Sequence, residues 1–382
     1  AMTKKEKRAA ELMAATQFRK VRELQESIKN ADEDEKQRRI QSYSTIMRSR
    51  PERPMKDPSG ATTDVTVLKL LGKPKLLISD IEILCDSLED NQVQGVLVLK
   101  NKGIEHEGFM MLSKALCSNG SVQNLNLNYN RIGSCGAEAL ADVLRVNTHL
   151  KALHLERNNL DDDGIIALCH GIEETRILKT LSLNDTIGDS GIAAISSMIQ
   201  KNNNLLTLNL TCSMSDSGRK CFFSALELTT SLSTLRLTGC ELGGSGASEF
   251  SVALARNTSL TCLELSRNKL GDDGVNVLCD RLCSCPKICS IKLESNQITL
   301  SDCSVVNKLF GGEYLTQINL SRNPLSESGV ATIALNLLTN TTLQSLTLGY
   351  CRIQKDGVGA LCDGLKNNTT LKTLDLGGNG LG

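Results

Sequence analysis

The sequence predicts an α/β solenoid, and three observations carry that prediction. A phrase of spaced leucines recurs in phase, opening at Val93, Val122, Leu150, Leu178, Leu205, Leu232, Leu260, Ile288, Leu315, Leu343 and Leu371, at intervals of 27 to 29 residues. Within each copy the apolar spacing changes from alternation to helical periodicity, the signature of a strand followed by a helix. Aromatics make up 3% of the 382 residues and Trp is absent, so the interior cannot depend on aromatic bulk. A prior of ~150 residues per domain would divide the chain into two or three domains. The repeat replaces that division with one solenoid over 65–382, preceded by a charged arm and linker over 1–64.

The unit opening at Leu260 shows the elements in order. Leu263 and Leu265 alternate with Cys262, Glu264 and Ser266, the pattern of a half-buried strand. Asn268 and Leu270 follow, then the turn Gly271-Asp272-Asp273-Gly274, after which Val275, Leu278 and Leu282 recur at helical spacing. The Asn slot is expected at Asn101, Asn130, Asn158, Asn268, Asn296, Asn323 and Asn379, with Cys240 and Cys351 as replacements. A buried Asn there must bond loop backbone of its own and the neighbouring turn. The units at Leu178 and Leu205 are one residue short between strand and turn, which blurs their slot. A degenerate twelfth copy is expected from Val65, with Leu68 and Leu70 as its strand leucines.

This phrase, L-x-x-L-x-L-x-x-N/C-x-L-x-x-x-G in a unit of about 28 residues, resembles the leucine-rich repeat of the ribonuclease-inhibitor type. The resemblance covers about five-sixths of the chain and implies a curved horseshoe of parallel strands inside and helices outside. The curvature has a physical cause. Strands sit ~4.8 Å apart while packed helices need ~8–10 Å, so stacking both layers bends the array by roughly 20–25° per unit.

The ends depart from the repeat. In residues 4–29, Ala14, Val21 and Ile28 lie seven apart with Phe18 and Leu24 between them. They read as an amphipathic helix, with the spacing of a coiled coil. Asp32 to Glu35 is acidic and opens a second helical stretch through Met47, whereas Lys36 to Lys56 holds seven basic residues against one acid. Pro51, Pro54 and Pro58 then make a linker. The arm reads as a charged segment, a cap for the first repeat or a partner-binding helix. The last unit ends without a helix or polar cap, and Ala1 before Met2 looks like a cloning remnant. The sequence therefore reads as a piece of a longer protein, or one whose C-terminus pairs with something.

Charge and motifs exclude several classes. Lys plus Arg and Asp plus Glu both total 43, so no uniform field marks a nucleic-acid or membrane-surface protein. No apolar run of about 18 residues would span a bilayer. Fifteen cysteines without a signal peptide fit reduced thiols in the cytoplasm. Neither a phosphate loop nor a G-x-S-x-G or H-E-x-x-H motif occurs, and no cofactor is expected. Cys279, Cys283, Cys285 and Cys289 lie close enough to raise zinc, but their spacing is not a standard ligand pattern. Cys279 also occupies a helix-core position shared with Cys169 and Cys362.

The concave face carries the functional reading. Between the strand leucines it presents Leu97, Asn126, His154, Ser182, Asn209, Arg236, Glu264, Lys292, Asn319, Thr347 and Asp375, and just after them a second row from Leu99 to Gly377. Charges concentrate at Arg236, Glu264, Lys292 and Glu294, with Arg267 and Arg322 one step further. These six are the candidate partner-binding residues of a non-catalytic protein-interaction scaffold. The alternatives are a GTPase-activating or regulatory horseshoe and the sensor fragment of an immune-type receptor. GTPase-activating proteins for Ran, of similar repeat type, depend on a Phe-Thr-Gly-Arg phrase. Here only Thr238-Gly239-Cys240 is present, and an arginine finger would fall to Arg157 or Arg267.

Overall fold

The computed structural model describes residues 70–380 apart from 283, 284 and 286. The chain divides between Ala61 and Thr62, and the described residues belong to the second unit. The expected helical arm and Leu68 lie outside them. Helix Ile78–Glu89 leads into β1 (Gly95–Val98), and a helix follows each strand but the last. The other strands are β2 (Val122–Asn126), β3 (Ala152–His154), β4 (Thr180–Leu183), β5 (Thr207–Leu210) and β6 (Thr234–Leu237). Then come β7 (Cys262–Glu264), β8 (Ser290–Lys292), β9 (Gln317–Asn319), β10 (Ser345–Thr347) and β11 (Thr373–Asp375). All eleven pair in chain order in one parallel sheet.

The repeat sets the register, because equivalent leucines stack rung on rung. Leu235 pairs with Leu263 and Leu263 with Ile291, and all three are buried. Helix side chains such as Val275, Leu278 and Cys279 close the other side of the core, each buried leucine contributing ~1.5–3 kcal/mol. Consecutive helices come close enough that small residues are required. A Cβ on Gly171 would stand 2.7 Å from Ala141 Cα in the preceding helix.

Two ladders of asparagine tie the units together. In the expected slot, Asn268 Nδ2 donates to Leu237 O and Leu265 O, and its Oδ1 accepts from Cys240 N. Asn296 Oδ1 accepts from Asn268 N, and Asn323 Oδ1 from Asn296 N. The second ladder places an Asn three residues before the opening residue of the next unit after six of the helices, with Thr175 and Thr229 in its place after two others. Asn147 Nδ2 donates to Leu116 O and Asn119 O, while its Oδ1 accepts from His149 N and Leu150 N. Asn119, Asn202, Asn257, Asn340 and Asn368 repeat this pattern. Where these Asn residues occur, one side chain satisfies the buried polar backbone at that end of the loop.

The first unit differs from the sequence expectation. Leu70 lies in a helical turn, not a strand. The register of β1 shifts between Gly95 and Val96, which turns Leu97 and Leu99 into the core and Val96 and Val98 outward. Asn101 consequently misses the buried slot. It is exposed at φ 54°, while Lys102 N donates to Asn130 Oδ1 in its place.

Candidate functional site

The side of the sheet away from the helices carries the predicted residues, one per strand. Parallel register places His154, Ser182, Asn209, Arg236, Glu264, Lys292 and Asn319 in a row across β3 to β9. Their polar groups join without a break from β3 to β8. His154 Nδ1 lies 2.9 Å from Ser182 Oγ, which accepts from Asn209 Nδ2 at 2.7 Å. Asn209 Oδ1 accepts from Arg236 Nη1 at 2.9 Å. Glu264 Oε2 then accepts from Arg236 Nε and Lys292 Nζ, both at 3.1 Å. Four of the six candidates lie outside or at the edge of this chain. Lys292 ends it, Glu294 pairs with Arg322 at 3.1 Å, and Arg267 stands exposed beyond the sheet.

The electrostatics follow from the packing. Burial lowers the His154 pKa, opposed by the nearby Glu156 carboxylate, and so favours the neutral ring. Ser182 Oγ can accept from both neighbours, so the tautomer of His154 sets which of the two donates across this contact. The ion pairs are half-exposed, and such pairs contribute little to stability. Their effect is geometric, since each long side chain is held by its neighbour.

A residue in the left-handed region precedes the slot in most units: Tyr129 (φ 62°), Arg157 (57°), Arg267 (60°), Ser295 (57°), Arg322 (57°) and Tyr350 (57°). Glycine fills the same position at Gly239 and Gly378. This turn aims Tyr and Arg side chains along one edge of the sheet. Lys100 Nζ and Arg157 lie 5.0 and 5.5 Å from the Tyr129 ring centroid, and Arg322 lies 4.6 Å from that of Tyr350. The shorter units at Leu178 and Leu205 lack this residue. There Asp185 stands in for Asn, accepting from Asn158 N and Asn159 N, and burial pushes its carboxyl up to about 6. Cys212 fills the next slot, its thiol pushed up by its hydrogen bond to Cys240 and by burial.

Of the four clustered cysteines, Cys283 lies outside the described residues, and the other three are structural parts. Cys285 Sγ donates to Leu254 O and Cys289 Sγ to Thr261 O, while Cys279 is buried in the core. Among the described residues no cluster of three or more His, Cys, Asp or Glu could hold a metal. Cys362 departs from its expected burial and is exposed, because Lys355–Leu365 packs on the preceding helix alone and no described helix follows it. No described helix is long and apolar enough to cross a membrane.

A leucine-rich repeat family model matches residues 118–141, 146–169, 230–251, 256–279, 339–362 and 367–382. Mouse ribonuclease inhibitor is 32% identical over 105 residues, 27% of this chain and 23% of that protein. This chain is built of leucine-rich repeats of the ribonuclease-inhibitor type. Chicken leucine-rich repeat-containing protein 45 is 34% identical over 23% of this chain and 14% of its own length. Human NACHT, LRR and PYD domains-containing protein 13 is 36% identical over 26% and 10%. The leucine-rich repeat chain thus spans less than a quarter of each of these relatives. Among solved structures, a chain from the yeast Rad7 and Elc1 complex has a TM-score of 0.51 at 17% identity, over 82% of this chain and 81% of that one. That likeness is one of fold.

Sequence reasoning found the row but missed two features of this leucine-rich repeat array. The outward turn of Val96 and Val98 depends on a bulge that spacing alone does not reveal. The Tyr positions were legible: the chain has 4 Tyr, and Tyr129 and Tyr350 both precede the Asn/Cys slot.

Proposed function

We propose that this chain is a non-catalytic protein-interaction scaffold that presents the strand face of its repeat array to a protein partner. The observation that carries this reading is the unbroken hydrogen-bonded row from His154 to Lys292 on a parallel sheet. Side chains already held in one geometry lose little conformational entropy when a partner docks. Arg236, Glu264, Arg267, Lys292, Glu294 and Arg322 form the central footprint, with the pairing of all but Arg267 fixing register and charge pattern. The face works by recognition, with no cofactor. The buried thiols of Cys169 and Cys351 support a reducing, cytoplasmic setting.

The test is affinity capture with mass spectrometry, comparing the full chain with Arg236→Glu/Lys292→Glu. The reading expects a specific set of proteins captured by the first and lost from the second, with unchanged circular dichroism. Identical captures would refute it. In a panel of GTP-loaded small GTPases the chain should accelerate none, and acceleration abolished by Arg267→Ala would establish the GTPase-activating alternative.

A further inference from the structure

The N-terminal end of the strand face differs in kind from its centre. Val96 and Val98 are 60% and 47% exposed and lie on the outward side of β1, two residues apart. Lys100 continues that side of the chain and reaches over the Tyr129 ring, whose far neighbour is Arg157 at the equivalent position of the next unit. The result is one contiguous surface of two aliphatic side chains, an exposed aromatic ring and two cations.

Charge separates this surface from the paired centre. Arg236, Lys292 and Arg322 each have a carboxylate partner. Among the described residues, Lys100 and Arg157 form no ion pair and rest on the ring of Tyr129. Of the surrounding acids, Glu105 faces Arg131 at 3.7 Å, the Asp185 carboxylate is engaged by backbone N–H groups and also feels the charge of Arg157, and Glu156 stands beside His154. Cations stacked on an aromatic face remain available to carboxylates. Exposed aromatic and Arg side chains on a rigid element are the types that dominate binding energy at interfaces.

We propose that Val96, Val98, Lys100, Tyr129 and Arg157 dock an extended acidic segment of a protein partner in which Asp or Glu alternates with aliphatic side chains. The aliphatic groups would cover Val96 and Val98, whose two-residue spacing matches an extended chain, and the carboxylates would meet Lys100 and Arg157. This inference rests on the strand face being the interaction surface and assigns its anchor to β1 and the two turns beside it.

The test pans a random phage-displayed peptide library on the full chain. Enriched sequences are then synthesised with a fluorescein label and titrated by fluorescence polarisation. Variants are Val98→Ser, Arg157→Glu and Tyr129→Asn, the last because Asn tolerates the left-handed backbone. Each variant is first matched to the parent in urea midpoint. Peptides rich in Asp, Glu and aliphatic residues are expected, with affinity falling at least tenfold in Arg157→Glu and falling steeply with added salt. Enrichment without acidic bias, or equal binding to parent and Arg157→Glu, overturns the proposal. Peptides lost only with Arg236→Glu/Lys292→Glu would overturn this location while leaving the strand-face reading intact. A dimer in sedimentation that dissociates with the same variants would assign the surface to a second copy and also overturn it.

Discussion

Replacing Asn268 by Ala tests the ladder that holds the strand face in register. Asn268 is fully buried. Its amide donates to Leu237 O and Leu265 O, and its carbonyl accepts from Cys240 N at 2.9 Å. Leu265 O keeps a second donor, Asn296 Nδ2 at 2.8 Å, so the substitution orphans two groups, Leu237 O and Cys240 N. Each buried unsatisfied group costs ~1–3 kcal/mol, giving ~2–6 kcal/mol in all. Asn268→Cys should cost about half as much, because the chain already uses Cys in this slot. Cys351 Sγ donates to Leu320 O at 3.2 Å, just as Asn268 donates to Leu237 O. Urea denaturation followed by circular dichroism measures the loss. Hydrogen exchange of peptides spanning 236–243 localises it, since repeat arrays yield first where neighbouring units uncouple. A loss under ~1 kcal/mol for Ala, or Cys no better than Ala, would refute the ladder account.

Three further outcomes follow from the same geometry. Leu263→Ala and Leu265→Ala should each cost ~2–5 kcal/mol, whereas Glu264→Gln should cost under ~1 kcal/mol; equal losses in denaturation would contradict the strand phase. Burial holds the Asp185 carboxyl at about 6, above the ~3.9 of an unfolded chain. The folded state binds the extra proton between those values, so this group's contribution falls as pH rises through that window. Asp185→Asn should therefore gain about 1 kcal/mol at pH 7 relative to pH 4, after allowance for solvent screening, and a pH-independent change in urea midpoint would refute this. Thiol labelling of the native chain should reach Cys135, Cys221, Cys289, Cys303 and Cys362 quickly, and Cys169, Cys240, Cys279 and Cys351 only on unfolding. Rapid labelling of Cys279 would contradict its core position.

The fold was legible because the repeat averages over local ambiguity. No single strand of three to five residues is convincing alone, but Leu263, Leu235 and Ile291 occupy the same phase in successive units. The two short units were visible as defects, although their solution, Asp185 and Cys212 in the Asn slot, was not. Asn147 and its equivalents recur in the sequence, and only their bonds to the preceding helix end give that recurrence a purpose. Asn101, Leu97 and Leu99 were misassigned for one reason. A bulge at Gly95/Val96 changes the face of the side chains that follow in β1 by one step. The charged candidates were found because their spacing equals the repeat. Their pairing through Glu264 depends on rotamers that spacing does not encode.

The most direct measurement of the central claim is a calorimetric titration of the full chain with a purified partner from the capture experiment. It is run beside Arg236→Glu/Lys292→Glu and the helix-side control Arg256→Glu, whose native side chain pairs with Glu227 away from the strand row. The account predicts at least tenfold weaker binding for the strand-face variant and unchanged binding for the control. Unchanged binding by the strand-face variant, with loss in the helix-side variant, would contradict it.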